Sequence, residues 1–146
     1  MRWRSVRKFR TESDAETIDL GRRLAVELPA RGVALLIGNL GAGKTTLAKG
    51  IVEGLGAGSA DEVASPTFTL IHEYGEGRVY HIDLYRLDDA RAVESLGLGE
   101  LFERDALTLI EWGERFPDLM PADRTEIRIR ALPDGAREFE ITGGNA

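Results

Sequence analysis

Residues Gly38-Asn39-Leu40-Gly41-Ala42-Gly43-Lys44-Thr45 fit the pattern G-x-x-x-x-G-K-[ST] without a mismatch. Glycines at these positions let the backbone bend tightly and approach a ligand with no Cβ in the way. Successive backbone N–H groups then form a nest for anionic oxygens, and the N-terminus of the following helix adds its dipole. In this pattern the Lys44 ammonium reaches the β- and γ-phosphates of a nucleotide, and the Thr45 hydroxyl ligates Mg²⁺. A phosphate loop also needs a carboxylate at the end of a neighbouring apolar strand to hold or polarise the metal. Asp83, closing Val79-Tyr80-His81-Ile82, and Glu111, closing Leu107-Thr108-Leu109-Ile110, both qualify. One would hold the metal and the other polarise the attacking water, and the spacing leaves the two roles open. Thr67 lies between Lys44 and Asp83, where nucleotide switches place a hydroxyl that senses the γ-phosphate and Mg²⁺. The plainer reading of Thr67 is a turn threonine after Pro66.

Other residues carry weaker signals. Trp112 follows Glu111 directly and reads either as core filling or as an aromatic wall beside a nucleotide. Arg86, Arg91, Arg104, Arg115 and Arg137 are possible phosphate clamps, although arginines are by default surface charges. His72 and His81 have no cysteine or third histidine to complete a transition-metal site, so His81 reads as a structural hydrogen-bonding group. The guanine-reading N/T-K-x-D motif is absent, which argues against a GTPase.

The elements needed to position these groups are legible as an α/β fold of P-loop NTPase type: a mixed β-sheet flanked by helices, with antiparallel hairpins in the second half. Val33-Ala34-Leu35-Leu36-Ile37 is a buried strand feeding the loop, and Leu47, Ala48, Ile51, Val52 and Leu55 fall at helical spacing after it. Upstream, residues 2–10 form a basic strand whose charges discourage edge pairing. Ser13 and Glu16 then make a capping box for a helix to about residue 28, with Thr17, Leu20, Leu24, Ala25 and Leu28 buried. Downstream, residues 68–74 and 78–84 pair through Gly75-Glu76-Gly77 as one hairpin, and 125–131 and 137–142 pair through Pro133-Asp134-Gly135 as another. Between them lie a helix capped by Asp88 or Asp89, a helical turn at 100–104 and a buried parallel strand at 107–110.

The chain of 146 residues reads as one domain, with 1–10 as the N-terminal strand and 143–146 as a frayed tail. A chain of this length buries about two-thirds of its unfolded surface. A net charge of −6 argues against broad nonspecific nucleic-acid binding, and the lack of cysteine excludes disulfides and thiolate chemistry. No apolar run is long enough to span a bilayer and no secretory signal precedes the fold, which suggests a cytoplasmic setting with no membrane contact.

Four blocks occur in order: the phosphate loop extended to Thr46, Ser65-Pro66-Thr67-Phe68-Thr69-Leu70, Tyr80-His81-Ile82-Asp83-Leu84-Tyr85-Arg86-Leu87, and Ile110-Glu111-Trp112. Together the chain resembles the TsaE (YjeE) family over residues 9–141. The resemblance implies a small ATPase, weak alone, that supports formation of N6-threonylcarbamoyladenosine at position 37 of tRNA. It implies that ATP and Mg²⁺ are the ligands, that the chain acts on a complex of TsaD and TsaB, and that it meets tRNA only through that complex. By similarity, Gly38, Leu40, Gly41, Ala42, Gly43, Lys44, Thr45 and Thr46 hold phosphates, and Thr45 and Glu111 hold Mg²⁺. Asp83 matches the family's essential aspartate, Asp14 an N-terminal nucleotide contact, and Arg137 falls near a C-terminal one. Asn39 stands where Asp is frequent, and Gly113 replaces a proline common after the Glu-Trp pair, which suggests a looser loop there. Two other readings of the phosphate loop are a small-molecule kinase, which would need an acceptor pocket and lid, and a nucleotide-dependent interaction module without useful turnover.

Overall fold

A computed structural model of the chain describes residues 6–66 and 69–143. Thr67 and Phe68, residues 1–5 and residues 144–146 lie outside the described residues, so the expected sensing hydroxyl, the start of the N-terminal strand and most of the expected tail do too. The elements are β1 (Val6–Thr11), α1 (Asp14–Ala25), β2 (Gly32–Ile37), α2 (Lys44–Gly54), β3 (Ile71–Tyr74), β4 (Val79–Asp83), α3 (Ala90–Glu94), α4 (Leu98–Phe102), β5 (Leu107–Glu111), β6 (Thr125–Ala131) and β7 (Arg137–Thr142). They form the mixed sheet flanked by helices that the sequence implies. Strand order is β1-β7-β6-β2-β5-β4-β3. Strands β4, β5, β2 and β6 run parallel, while β1, β7 and β3 pair antiparallel at the two flanks.

Alternation along β2 accounts for the layering. Ala34 and Leu36 face a core that includes Leu20, Leu24, Leu47, Ile51, Ile127 and Phe139, from α1, α2, β6 and β7. Val33 and Leu35 face a second core with Ile82, Val93, Leu98, Ile110 and Phe116. Covered on both faces, β4 and β5 are buried at every position and β2 at all but its ends, with no alternation of buried and exposed residues. Parallel strands put their carboxyl ends along one edge, and that edge is where ligands bind in open α/β sheets. The loop after β2, Asp83 at the end of β4 and Glu111 at the end of β5 therefore meet there.

Several expectations shift by a turn. Helix α1 stops at Ala25 rather than near residue 28, because the Glu27 N–H bonds back to the Leu24 carbonyl in a tightened last turn and Pro29 follows. Leu28 is half-buried at the margin of the first core. The Ser13 hydroxyl accepts from the Glu16 N–H at 3.1 Å, but the Glu16 carboxylate accepts from the Glu12 N–H at 2.9 Å, one residue before the expected partner. Asp89, not Asp88, caps α3, accepting the Ala92 N–H at 2.9 Å. Strand β1 lies at the sheet edge, and two of its basic residues find partners in the chain: Arg7 pairs with Glu27, and Arg10 with Asp134 at 2.7 Å.

The contact between α1 and α2 was not legible as such. A Cβ on Gly50 would lie 2.0 Å from the Ile18 carbonyl oxygen, and one on Gly21 2.6 Å from that of Leu47. The two helix backbones touch, which presses α2 onto the sheet and sets the position of its first turn. Gly50→Ala is expected to destabilise the protein by about 1–3 kcal/mol, since no rotamer relieves a clash with backbone and the loss outweighs the better helix propensity of alanine. Urea denaturation measures this, and unchanged or increased stability would contradict the contact.

Candidate functional site

The loop between β2 and α2 bends because Gly43 adopts φ 114°, a left-handed conformation that disfavours any side chain. A Cβ there would also press to 3.0 Å against the Arg137 guanidinium. Lys44 opens α2 and is buried; its Nζ donates to the Gly38 carbonyl at 2.7 Å and lies 3.5 Å from the centre of the Trp112 ring. Burial pulls the Lys44 pKa below the usual lysine range, against the upward pull of Glu111, Glu114 and Asp83.

Thr45 points to the carboxyl ends of the strands, where its hydroxyl donates to Glu111 Oε2 at 2.9 Å. Because the hydrogen goes to Glu111, the oxygen lone pairs of Thr45 remain available to a cation. Glu111 is buried, and the same Oε2 lies 2.6 Å from His81 Nε2. Asp83 pairs with Glu111 in the register of β4 and β5. Its Oδ1 accepts the Tyr85 N–H at 2.9 Å and its Oδ2 the Ser65 hydroxyl at 3.2 Å. Trp112 has φ 68°, unusual for a bulky residue, and this turns its ring over Lys44 and against Tyr85, with ring centres 5.1 Å apart. Arg137 pairs with Asp14 at 2.7 Å, joining the start of β7 to the start of α1.

Leu40, Gly41, Gly43, Lys44, Thr45, Thr46, Asp83, Glu111, Trp112 and Arg137 line one cleft of about 300 Å³, together with Ser65 and Tyr85. Trp112 lines the cleft and also packs against the second core, so its position fits both open readings. Three of the expected nucleotide contacts do not line this cleft. Gly38 lies behind it as the carbonyl partner of Lys44, and Asp14 is linked to it through Arg137. Ala42 packs its side chain into the first core, and its N–H donates to the Asn39 carbonyl at 3.0 Å. Gly113, where a looser loop is expected, is buried, and a Cβ would meet Ile110, Leu35 and Met120 at 3.0 Å. The other candidate clamp near the cleft, Arg115, donates to the Tyr85 carbonyl at 2.9 Å and so ties the segment after Glu111 to the segment after Asp83.

The site suits a nucleotide and a hard divalent cation. Its donors are all oxygens, from Thr45, Glu111 and Asp83, and a Cβ on Gly41 would meet no protein atom within 4 Å, leaving room at the loop. Among the described residues no three His, Cys, Asp or Glu side chains form a metal cage. Mg²⁺ at phosphate sites does not need one, since one or two carboxylates plus the phosphates suffice. Ser65, Tyr85 and Glu114 belong to the surroundings of the site but were not singled out from the sequence. The signals available were their places just before Pro66, two residues after Asp83 and three after Glu111. Burial raises the Glu114 pKa above the usual carboxylate range, with Lys44, Arg128 and Arg115 pulling it down.

Comparison with known proteins gives a consistent result. The family model "Threonylcarbamoyl adenosine biosynthesis protein TsaE" matches residues 11–139. The chain is 40% identical to the tRNA threonylcarbamoyladenosine biosynthesis protein TsaE of Bacillus subtilis, over 92% of this chain and 84% of that protein. It is 43% identical to the protein of the same name from Nostoc, over 88% and 81% of the two chains. Among solved structures, Bacillus subtilis YdiB superposes with a TM-score of 0.78 at 33% identity, covering 99% of this chain and 90% of that one.

Proposed function

The chain belongs to the TsaE family, and from that premise we propose that it is an Mg-ATP-dependent ATPase that drives a tRNA-modifying assembly of TsaB and TsaD. A part in threonylcarbamoyladenosine biosynthesis follows from the family. The observation that supports ATP as the ligand is the junction of Lys44, Thr45, Glu111 and Asp83 at one cleft, on the carboxyl edge of the parallel strands. Lys44, desolvated and pre-placed at the loop, meets phosphate charge with little reorganisation. Thr45 and Glu111 hold the Mg²⁺ end of the site. Asp83, fixed by Ser65 and the Tyr85 N–H, orients or accepts a proton from water. Thr67 is assigned the γ-phosphate-sensing role. Arg137, paired with Asp14, closes the nucleotide side of the cleft and Trp112 its other wall. When bound, Mg²⁺ neutralises charge developing on the β- and γ-oxygens.

Weak activity alone and dependence on TsaB and TsaD fit a cleft flanked by exposed Leu40 and Tyr85, apolar groups that a partner can cover. ATP labelled at the γ-phosphate provides the test. The label is expected in inorganic phosphate, at a rate increased by TsaB–TsaD. Label transferred to a small-molecule acceptor would make the protein a kinase instead.

A further inference from the structure

Strand β4 is buried at every position, yet its central residue is the imidazole His81, fully excluded from solvent. Burying an imidazole removes two nitrogens from water. Among the described residues His81 recovers one bond, Nε2 to Glu111 Oε2 at 2.6 Å, while its buried Nδ1 finds no hydrogen-bond partner. As a packing element this is a poor choice, since an apolar residue of similar size would leave nothing unpaired. Orientation is a better account. Period-two alternation puts His81 and Asp83 on one face of β4, and Glu111 lies opposite Asp83 on β5. A carboxylate oxygen only accepts, so His81 Nε2 carries the proton of its bond, as the Thr45 hydroxyl does for the other. Two donors converge on Oε2, one from the sheet and one from the first turn of α2. Short of a half turn that exchanges its two equivalent oxygens, rotation of the carboxylate about its last bond takes Oε2 away from both donors.

We propose that His81 is a positioning residue that fixes the Glu111 carboxylate in register with Thr45, so that the cation end of the site is built before ligand arrives. The inference rests on the Mg-ATP reading above. It extends to this site the general arrangement in which a hydrogen-bond partner behind a ligating group sets its orientation.

A fluorescent ATP analogue, titrated with MgCl₂ and separately in EDTA, tests it. Wild type is expected to bind in an Mg²⁺-dependent way. His81→Leu removes the donor and is expected to raise the Mg²⁺ half-saturation about tenfold, leaving binding in EDTA within about twofold. His81→Gln, whose amide nitrogen reaches about as far as Nε2, is expected to restore most of the loss. His81→Asn, whose amide falls short, is expected to resemble His81→Leu, and it carries the test if His81→Leu does not fold. A folded His81→Leu or His81→Asn with wild-type Mg²⁺ dependence overturns the proposal. So does a His81→Gln as impaired as His81→Leu, which would assign the residue to packing. No Mg²⁺-dependent binding by wild type would overturn the Mg-ATP reading itself, and this inference with it.

Discussion

Lys44→Ala is expected to lower phosphate release from Mg-ATP by at least about 100-fold, the scale seen when one preorganised donor to transition-state charge is removed. Lys44 is the buried cation at the head of α2, and burial already disfavours its charge. In the absence of phosphate that charge is costly to keep, and this cost offsets much of the about 1.5–3 kcal/mol that a charge-assisted hydrogen bond to the Gly38 carbonyl contributes. Folding stability should therefore change little, by about 1 kcal/mol or less in either direction. A phosphate-release assay beside a thermal melt checks both. Retained hydrolysis in a folded variant would remove the phosphate loop from the chemistry. A collapsed melt would mean that Lys44 holds the fold rather than the ligand.

The two carboxylates should separate by the measurement that exposes them. Glu111→Gln is expected to raise the Mg²⁺ concentration needed for nucleotide binding about 10–100-fold. Asp83→Asn should change it far less and should act mainly on the rate of hydrolysis. The reason is local. Glu111 accepts directly from the Thr45 hydroxyl, so loss of its charge should be felt at the proposed cation end of the site. Asp83 is bonded to the Ser65 hydroxyl and the Tyr85 N–H, and an asparagine can keep both bonds with its oxygen toward Tyr85 and its amide toward Ser65. Mg²⁺ titrations of nucleotide binding by both variants decide between them. The reverse order would make Asp83 the main metal-holding residue.

The parts of this site that were legible in the sequence are those encoded by short-range pattern. The loop from Gly38 to Thr45, the apolar run of β2 and the carboxylates closing β4 and β5 declare themselves because phosphate binding needs those residue types at fixed offsets. The hairpins were legible for the same reason, since Gly75-Glu76-Gly77 and Pro133-Asp134-Gly135 are turn chemistry. Long-range relations left no local mark. That β6 pairs parallel with β2 while pairing antiparallel with β7 depends on where the chain returns after Phe116. The contact of Gly21 and Gly50 is a property of two helices together, and Gly50 alone looks like a weak helical position. His81 was legible as a hydrogen-bonding group but its partner Glu111 was not, because that partner lies 30 residues away on a neighbouring strand. Gly113 read as a loosened loop because the packing of Leu35, Ile110 and Met120 around it is invisible along the chain.

Multiple-turnover tRNA modification by a reconstituted assembly of this chain with TsaB and TsaD tests the central claim most directly. With wild-type chain, threonylcarbamoyladenosine is expected to accumulate well beyond one per assembly. With Lys44→Ala it should stop at about one or fewer, because on the proposed reading ATP hydrolysis at the cleft resets the complex. Accumulation through many turnovers with a folded, hydrolysis-dead Lys44→Ala chain would contradict the account.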